Sequence, residues 1–98
     1  MADVTLHDEA LEEFRRATDW YESRTPGVGE RYADTIESTL VEIGVEPERY
    51  PRYDHEFREA PVPKFPYSVI DRALLSGDVQ VIAVSHASRA PGDWRDRA

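Results

Sequence analysis

The sequence predicts an α+β fold in which two helices pack on one face of a small, twisted, mostly antiparallel sheet. Two stretches with helical apolar spacing come first, and three strand-like segments follow them. A short strand-like run precedes the helices, so the predicted order is β-α-α-β-β-β. A chain of 98 residues has room for one hydrophobic core. We therefore treat residues 1–98 as a single domain.

The first strand is predicted at Val4–Leu6, and Asp8 follows it as the expected N-cap of the first helix. Helical spacing then continues as far as the turn signal Pro26-Gly27. Glu12 and Glu13 are assigned to the solvated face of this helix. Its apolar stripe consists of Ala10, Phe14, Ala17 and Tyr21, with Leu11 beside them.

The second helix is predicted to begin near Gly29. Gly44 is a favourable residue just past a helix end, and Pro47 prevents continuation. The stripe of this helix consists of Tyr32, Ile36, Leu40 and Ile43, joined by Ala33. The short connection makes the two helices an antiparallel hairpin. Residues 46–56 contain two prolines and no sustained period, which is typical of a loop.

Three predicted strands complete the sheet. Residues 57–63 are interrupted by Pro61 and Pro63, which favours an edge strand. Residues 67–75 are joined to residues 79–84 by Ser76-Gly77-Asp78, the composition of a hairpin turn. Strict alternation places Val79, Val81 and Ala83 on one face of the last strand and Gln80, Ile82 and Val84 on the other. Because both faces are largely apolar, this strand is predicted to be central.

Charge is distributed unevenly along the chain. The formal net charge is -8, with -9 in residues 1–56 and +1 in residues 57–98. The overall acidity argues against non-specific binding of nucleic acid, which needs a positive surface. A local basic site in the second half remains compatible with it. The chain has eleven arginines and a single lysine. An acid-rich, lysine-poor surface suits a salt-rich host, and GC-biased coding would equally favour arginine over lysine.

Several classes of site are disfavoured by composition. There is no cysteine, and the three histidines are isolated from one another, so we expect no metal site. No glycine-rich phosphate loop is present, and we expect no cofactor. The acidic N-terminal stretch MADVTLHDEA lacks the features of a signal peptide, and no apolar run reaches membrane-spanning length. We expect a cytoplasmic protein without a membrane partner.

The candidate functional residues lie in the second half. Arg58 begins a strand, Lys64 precedes Phe65-Pro66-Tyr67, and His86 and Arg89 directly follow the central strand. The last three candidates are Trp94, Arg95 and Arg97. We expect this set to converge on the exposed face or end of the sheet, with the acidic helices on the side away from it. Cations beside an aromatic ring suit RNA, but equally an acidic or apolar segment of a protein partner.

Each candidate also has a purely structural interpretation. Trp94 would close the core at the end of the chain, and Arg58 would pair with an acid of the first helix. Lys64 would be ordinary surface. His86 would hydrogen-bond to backbone at a strand end.

Several motifs together resemble the RelE/ParE superfamily of toxins from type II toxin–antitoxin pairs. The resemblance runs nearly end to end, through EALEEF, the pair Trp20-Tyr21, PGVGERY, YPRY, KFPYSVIDR and VIAVSHASRAPGDWRDR. The most specific pieces are FPY and the closing H-x-x-R-x-P-x-x-W. The resemblance implies a toxin with the β-α-α-β-β-β fold and a cognate antitoxin partner.

The resemblance leaves three functions open. ParE-like toxins bind DNA gyrase without catalytic residues of their own, whereas RelE-like toxins enter the ribosome and cut mRNA. A nuclease would use Arg58, Lys64, His86 and Arg89 as its catalytic residues, with His86 as acid or base. The third alternative is an inactive or repurposed domain that keeps the fold. Many relatives carry Tyr where this chain has Asp71, and ribosome-cutting toxins are usually basic. The acidic charge therefore favours a protein target such as gyrase.

Overall fold

The computed structural model describes residues 1–98 and has the predicted order of elements. Its sheet has the strand order β1-β4-β3-β2, in which β1 is parallel to β4 and the other two pairings are antiparallel. The elements are β1 (Val4–Leu6), α1 (Asp8–Arg24), α2 (Val28–Val45), β2 (Arg58–Pro61), β3 (Tyr67–Ala73), β4 (Val79–His86) and a final 3-10 turn (Arg95–Arg97). Residues 46–56 contain no helix, and neither α1 nor α2 is both long and apolar enough to cross a membrane.

The N-terminus of α1 is capped one residue earlier than predicted. His7 is the N-cap, and its Nδ1 atom accepts a hydrogen bond from the amide of Glu9 at 3.1 Å. Asp8 is instead the first helical residue, where a carboxylate interacts favourably with the helix dipole. The prediction of Asp8 as the cap was wrong because an imidazole nitrogen satisfies the free amide in its place.

The turn between the helices is held by Glu22. Its carboxylate accepts hydrogen bonds from the amides of Gly27 at 2.9 Å and Gly29 at 3.0 Å, at the start of α2. Gly27 has a φ of 91°, a left-handed conformation that glycine adopts without strain. A Cβ atom at Gly29 would lie 2.6 Å from the carbonyl oxygen of Thr18, so glycine is required where the helices approach each other.

Gly44 lies inside α2, which continues to Val45, so the prediction that it follows the helix was wrong. A Cβ atom at this position would lie 3.1 Å from the carbonyl oxygen of Ala2. The carbonyl of Gly44 also accepts a hydrogen bond from the Ala2 amide at 2.9 Å. The glycine therefore allows the segment before β1 to approach the helix closely.

The strand order confirms that β4 is central and that β2 lies at an edge. A β-bulge interrupts the pairing of β3 with β4, and Ile82 is the extra residue on β4. Beyond it, Ala83 packs in the same cluster as Ile82, and Val84 packs with Val79. Strict alternation, which placed Ala83 with Val79 and Val84 with Ile82, was therefore wrong beyond the bulge.

Two hydrophobic clusters enclose the sheet. The larger lies between sheet and helices and contains Tyr32, whose ring centroid is 5.1 to 6.2 Å from those of Phe14, Tyr21, Phe65 and Tyr67. The predicted stripes of both helices contribute to it. The smaller cluster consists of Phe57, Ile70, Ile82, Ala83 and Trp94. The face of the sheet away from the helices is consequently covered as well.

Candidate functional site

Four of the seven candidate residues, Arg58, His86, Arg89 and Arg97, line two separate clefts. The first, the α1 cleft, is lined by Glu13, Arg16, Tyr67, Val84, His86, Arg89 and Arg97. The second, the Asp71 cleft, lies at the C-terminal end of α2 and contains only Arg58 of the candidates. On β3, Arg58 is opposite Asp71 and His86 is opposite Tyr67, so about 13 Å of strand lies between them. The expected convergence of all candidates was therefore wrong.

In the α1 cleft, two arginines of the C-terminal segment bind one carboxylate of α1. Arg97 donates to Oε1 of Glu13 at 2.8 Å and to Oε2 at 2.9 Å, and Arg89 forms a hydrogen-bonded ion pair with Oε2. The Val84 amide donates to Oε1 at 3.1 Å. We call these three residues, Glu13, Arg89 and Arg97, the Glu13 clamp. It joins the end of the chain to the middle of α1.

The clamp sets the charge state of Glu13. Burial alone would raise the pKa of this carboxyl group. Hydrogen bonds from Arg97, Arg89 and the Val84 amide outweigh burial and hold the pKa below its usual range. The side chain, which is 13% exposed, is therefore an ionised, fully partnered carboxylate at neutral pH.

The remaining charges of the clamp arginines are also balanced by acids. Arg97 pairs with Glu9 at 3.1 Å, and Arg89 pairs with Asp93 at 3.0 Å. The expectation that the acidic helices lie away from the basic end was wrong, because Glu9 and Glu13 project from α1 towards it. The two arginines thus stabilise the fold and are not free to bind an anionic ligand.

Trp94 belongs to the core rather than to a binding surface. It is 2% exposed, and its ring centroid lies 4.8 Å from that of Phe57 and 5.2 Å from that of Tyr53. The prediction that Trp94 is available for stacking on a ligand was wrong, because these rings already enclose it. The structural interpretation, in which it closes the core at the end of the chain, is the one observed.

Arg95 provides the expected cation beside aromatic rings, but within the protein. Its guanidinium lies 5.3 Å from the centroid of the Trp94 ring and 5.5 Å from that of Phe57. It also pairs with Asp54 at 2.5 Å. Hydrogen bonds from the amides of Glu56 and Phe57, with the nearby Arg95, lower the pKa of Asp54 to about 2.

His86 lines both the α1 cleft and an apolar depression beside it. We call this depression the aromatic groove; it is lined by Arg16, Ala17, Trp20, Tyr21, Pro66, Tyr67, His86 and Ser88. The Nδ1 atom of His86 lies 2.8 Å from the Ser88 hydroxyl and accepts from the Ser88 amide at 3.0 Å. Its ring packs edge-on against Tyr67 at 5.0 Å. The histidine is thus oriented by its own strand end, as the structural interpretation predicted.

Lys64 and Arg58 lie outside the α1 cleft. Lys64 is exposed in the connection between β2 and β3 and has a φ of 66°. Arg58 is partly buried, and its Nη1 atom donates to the carbonyl of Tyr50 at 2.8 Å. Arg58 does not pair with an acid of α1, which had been its alternative assignment.

Two carboxylates that line these clefts were missed by the sequence reasoning. Glu13 had been assigned to the solvated face, although its spacing of three from Ala10 and four from Ala17 places it beside the buried stripe. Asp71 is 3% exposed and directly follows the apolar pair Val69-Ile70 in β3. An acid in an apolar strand run was the available signal for it.

The arrangement limits what chemistry the candidate residues can perform. A ribonuclease of this kind needs a base, an acid and cations directed at the phosphate. Here the cations that share the α1 cleft with His86 are Arg89 and Arg97, which pair with Glu13, and Arg16, which pairs with Glu12 at 2.5 Å. Arg58 and Lys64 are elsewhere. The cleft therefore contains one imidazole, that of His86, beside an apolar groove. This arrangement suits contact with another macromolecule better than cleavage of a phosphodiester.

A family model of ParE toxins of type II toxin–antitoxin systems, parDE, matches residues 4–91. Among solved structures, a chain of the chromosomal ParDE TA system from P. aeruginosa matches with a TM-score of 0.76. That alignment covers 90% of this chain and 98% of the other chain, at 13% sequence identity, and it therefore shows a shared fold. No curated protein sequence gives a significant match.

Proposed function

This chain belongs to the ParE toxins of type II toxin–antitoxin systems, and we propose that it inhibits growth in the cytoplasm by binding a protein target, with DNA gyrase as the first candidate. The observation that carries this proposal is the Glu13 clamp. It neutralises Arg89 and Arg97, two of the cations that a nuclease site or an RNA-binding edge would need free. A protein target requires no such free cations.

Charge supports the same choice. Entry into a ribosome relies on attraction to anionic RNA, and a net charge of -8 opposes it. The cation–aromatic pair that would hold a base, Arg95 with Trp94, is occupied by Asp54 and by the core. A ribosome-dependent endonuclease is therefore the weaker alternative, and its remaining support is that His86 and Arg89 share one cleft.

A cognate antitoxin is proposed to neutralise the toxin by occupying the aromatic groove. Trp20 is 51% exposed at its rim, and the guanidinium of Arg24 lies 4.8 Å above the ring. Exposed tryptophan beside arginine is typical of residues that anchor protein interfaces. The face of the sheet away from the helices is a weaker candidate for antitoxin binding, because it is covered by Trp94 and its neighbours.

The target is tested by producing the protein from a tightly controlled promoter and following both outcomes in the same culture. We expect growth arrest with a DNA-damage response and intact mRNA ends, and inhibition of purified gyrase by the purified protein. His86→Ala, which leaves the Glu13 clamp in place, should retain most of the toxicity. Circular dichroism and solubility confirm that each variant is folded.

Two results would contradict this proposal. If mRNA were cut within codons and His86→Ala abolished cutting in a folded protein, the nuclease alternative would replace it. If a soluble wild-type protein had no effect on growth, the inactive alternative would replace it.

The antitoxin site is tested by co-production with the adjacent gene product and purification of the complex. Trp20→Ala should weaken the complex by roughly 10-fold or more, as expected for an interface anchor. Val41→Ala, an equally exposed apolar residue on α2, is the matched control and should leave affinity within about 3-fold. Equal effects of the two substitutions would place the antitoxin elsewhere.

A further inference from the structure

The Asp71 cleft, which the proposed function does not use, is a depression of about 430 Å³ between the C-terminal end of α2 and the sheet. It is lined by Val45, Glu46, Pro47, Glu48, Arg52, Glu56, Arg58, Asp71, Ala73, Gly77 and Val79. Four of these residues are acidic and two are basic. The cleft therefore carries an excess of negative charge and is large enough to admit a long side chain.

Asp71 lines this cleft without a partner. Its residue is 3% exposed, and its carboxylate forms no hydrogen bond or ion pair within the chain. Unlike the enclosed Tyr32 hydroxyl, the carboxylate is not fully sealed from solvent, so it opens into the cleft. Buried polar groups are almost always hydrogen-bonded, and an unpaired buried charge is strongly unfavourable. Burial accordingly raises the pKa of Asp71 to about 7, although the nearby Arg58 acts to lower it. Binding of a cation therefore stabilises this unpaired, buried carboxylate more than it would stabilise an exposed one.

The two arginines of the cleft are engaged elsewhere. Arg58 donates to the carbonyl of Tyr50 at 2.8 Å, and Arg52 donates to the carbonyl of His55 at 3.1 Å. Arg58 is opposite Asp71 in the sheet and acts on it electrostatically, but the two side chains form no hydrogen bond or ion pair. Neither arginine pairs with Asp71, so the cleft leaves this carboxylate open to a cation from outside the chain.

We propose that this cleft binds an arginine side chain of a partner protein, with the guanidinium on the carboxylate of Asp71. A planar guanidinium can donate two parallel hydrogen bonds to one carboxylate, and it is more weakly hydrated than an ammonium group, so it enters a buried site more readily. A bare metal ion fits less well, because no group of three His, Cys, Asp or Glu residues is placed to hold one.

The surroundings indicate that the arginine belongs to a polypeptide. Val45 lines the cleft and is 61% exposed, and Leu75, fully exposed, lies in the same turn as Gly77. Apolar residues beside an acidic cleft match a segment that carries arginine next to an apolar residue. Glu46 and Glu48 at the rim would attract such a segment electrostatically.

The proposal is tested with capped tripeptides Ala-Arg-Ala, Ala-citrulline-Ala and Ala-Lys-Ala, titrated into the ¹⁵N-labelled protein at low salt and about pH 7.5 while amide shifts are followed. The arginine peptide should shift amides around Asp71, Val45 and Gly77 with a dissociation constant on the order of millimolar. Citrulline has nearly the same shape without the charge and should bind at least 10-fold more weakly.

Asp71→Asn should weaken binding of the arginine peptide at least 10-fold, whereas Asp34→Asn, which removes an exposed acid of α2 outside the cleft, should not change it. Equal binding of the arginine and citrulline peptides, or unchanged binding by a folded Asp71→Asn protein, would overturn the proposal. Equal binding of the lysine peptide would overturn the assignment to arginine. Inorganic phosphate that shifted the same amides more strongly would identify an anion site instead. None of these measurements depends on toxicity, so this proposal and the proposed function can fail separately.

Discussion

Glu13 and Asp71 are both carboxylates withdrawn from solvent beside the same sheet, but their environments are opposite. Glu13 binds two arginines and a backbone amide, and its pKa is held below its usual range against the effect of burial. Asp71 has no hydrogen-bond partner, and burial raises its pKa to about 7. Burial disfavours both ionised groups, so the difference between them is due to their partners.

This difference separates a structural site from a binding site. The Glu13 clamp is complete within the chain and fastens the C-terminal segment to α1. The Asp71 cleft is incomplete, because its carboxylate still lacks a cation. A cluster of basic residues in the sequence is therefore a poor guide to function here, since the arginines of the clamp are already satisfied by acids.

The largest loss of stability is expected for Trp94→Ala, because Trp94 anchors the C-terminal segment that also supplies the clamp arginines. Removing a buried tryptophan should lower the free energy of unfolding by about 3–5 kcal/mol. The measurement is urea denaturation, with the exposed Trp20→Ala as control. A loss below about 1 kcal/mol would show that the segment is held mainly by its ion pairs.

A smaller loss is expected when Glu13 is replaced by Gln, because two partly buried arginines then lose their shared carboxylate. We expect about 3 kcal/mol at neutral pH. Glu12→Gln, which removes the exposed partner of Arg16, is the matched control and should change stability by no more than about 0.5 kcal/mol. Equal effects at positions 12 and 13 would contradict the clamp.

The pH dependence of this effect follows from the lowered pKa of Glu13. The ionised form is favoured in the folded state, so its contribution is present above the unfolded pKa of about 4.3 and is lost as pH falls through the lower folded value. The difference between wild type and Glu13→Gln should therefore shrink in acid. Denaturation curves at several pH values measure it.

The smallest change in the free energy of unfolding is expected for Asp71→Asn, and it is an increase in stability rather than a loss. The raised pKa means that the contribution of Asp71 is fully present below its unfolded pKa of about 3.9 and is lost as pH rises through about 7. Relative to wild type, Asp71→Asn should be more stable by about 1–3 kcal/mol at pH 8 and about equal near pH 4. Thermal or urea unfolding at both pH values measures this, with Asp34→Asn as control. A variant less stable than wild type at pH 8 would contradict an unpartnered carboxylate.

Local patterns were enough to predict most of the fold. Helical spacing identified both stripes, prolines placed β2 at an edge, and the apolar run at residues 79–84 identified β4 as central. The bulge at Ile82 was not predictable, because it depends on how β3 pairs with β4. The cap at His7 and the place of Gly44 inside α2 likewise depend on specific contacts.

The site was less predictable because its key contacts join distant parts of the sequence. Glu13 meets Arg89 and Arg97 across 76 and 84 residues, and no local pattern specifies the direction in which the segment after β4 turns. The residue types singled out Arg89 and Arg97 as candidate functional residues, but they did not show that the two side chains face α1. The spacing of Glu13 from Ala10 and Ala17 was the one local indication that this acid is drawn towards the core.

The most direct test of the contrast between the two carboxylates is a titration of their side-chain ¹³C carboxyl resonances in the wild-type protein. Between about pH 2 and pH 9, the resonance of Asp71 should titrate near 7, and that of Glu13 should titrate below the usual value for a glutamate. Asp71→Asn and Glu13→Gln assign the two signals. If Asp71 instead titrated at or below about 4, a cation within the chain would already neutralise it, and the separation of a completed clamp from an open cleft would be contradicted.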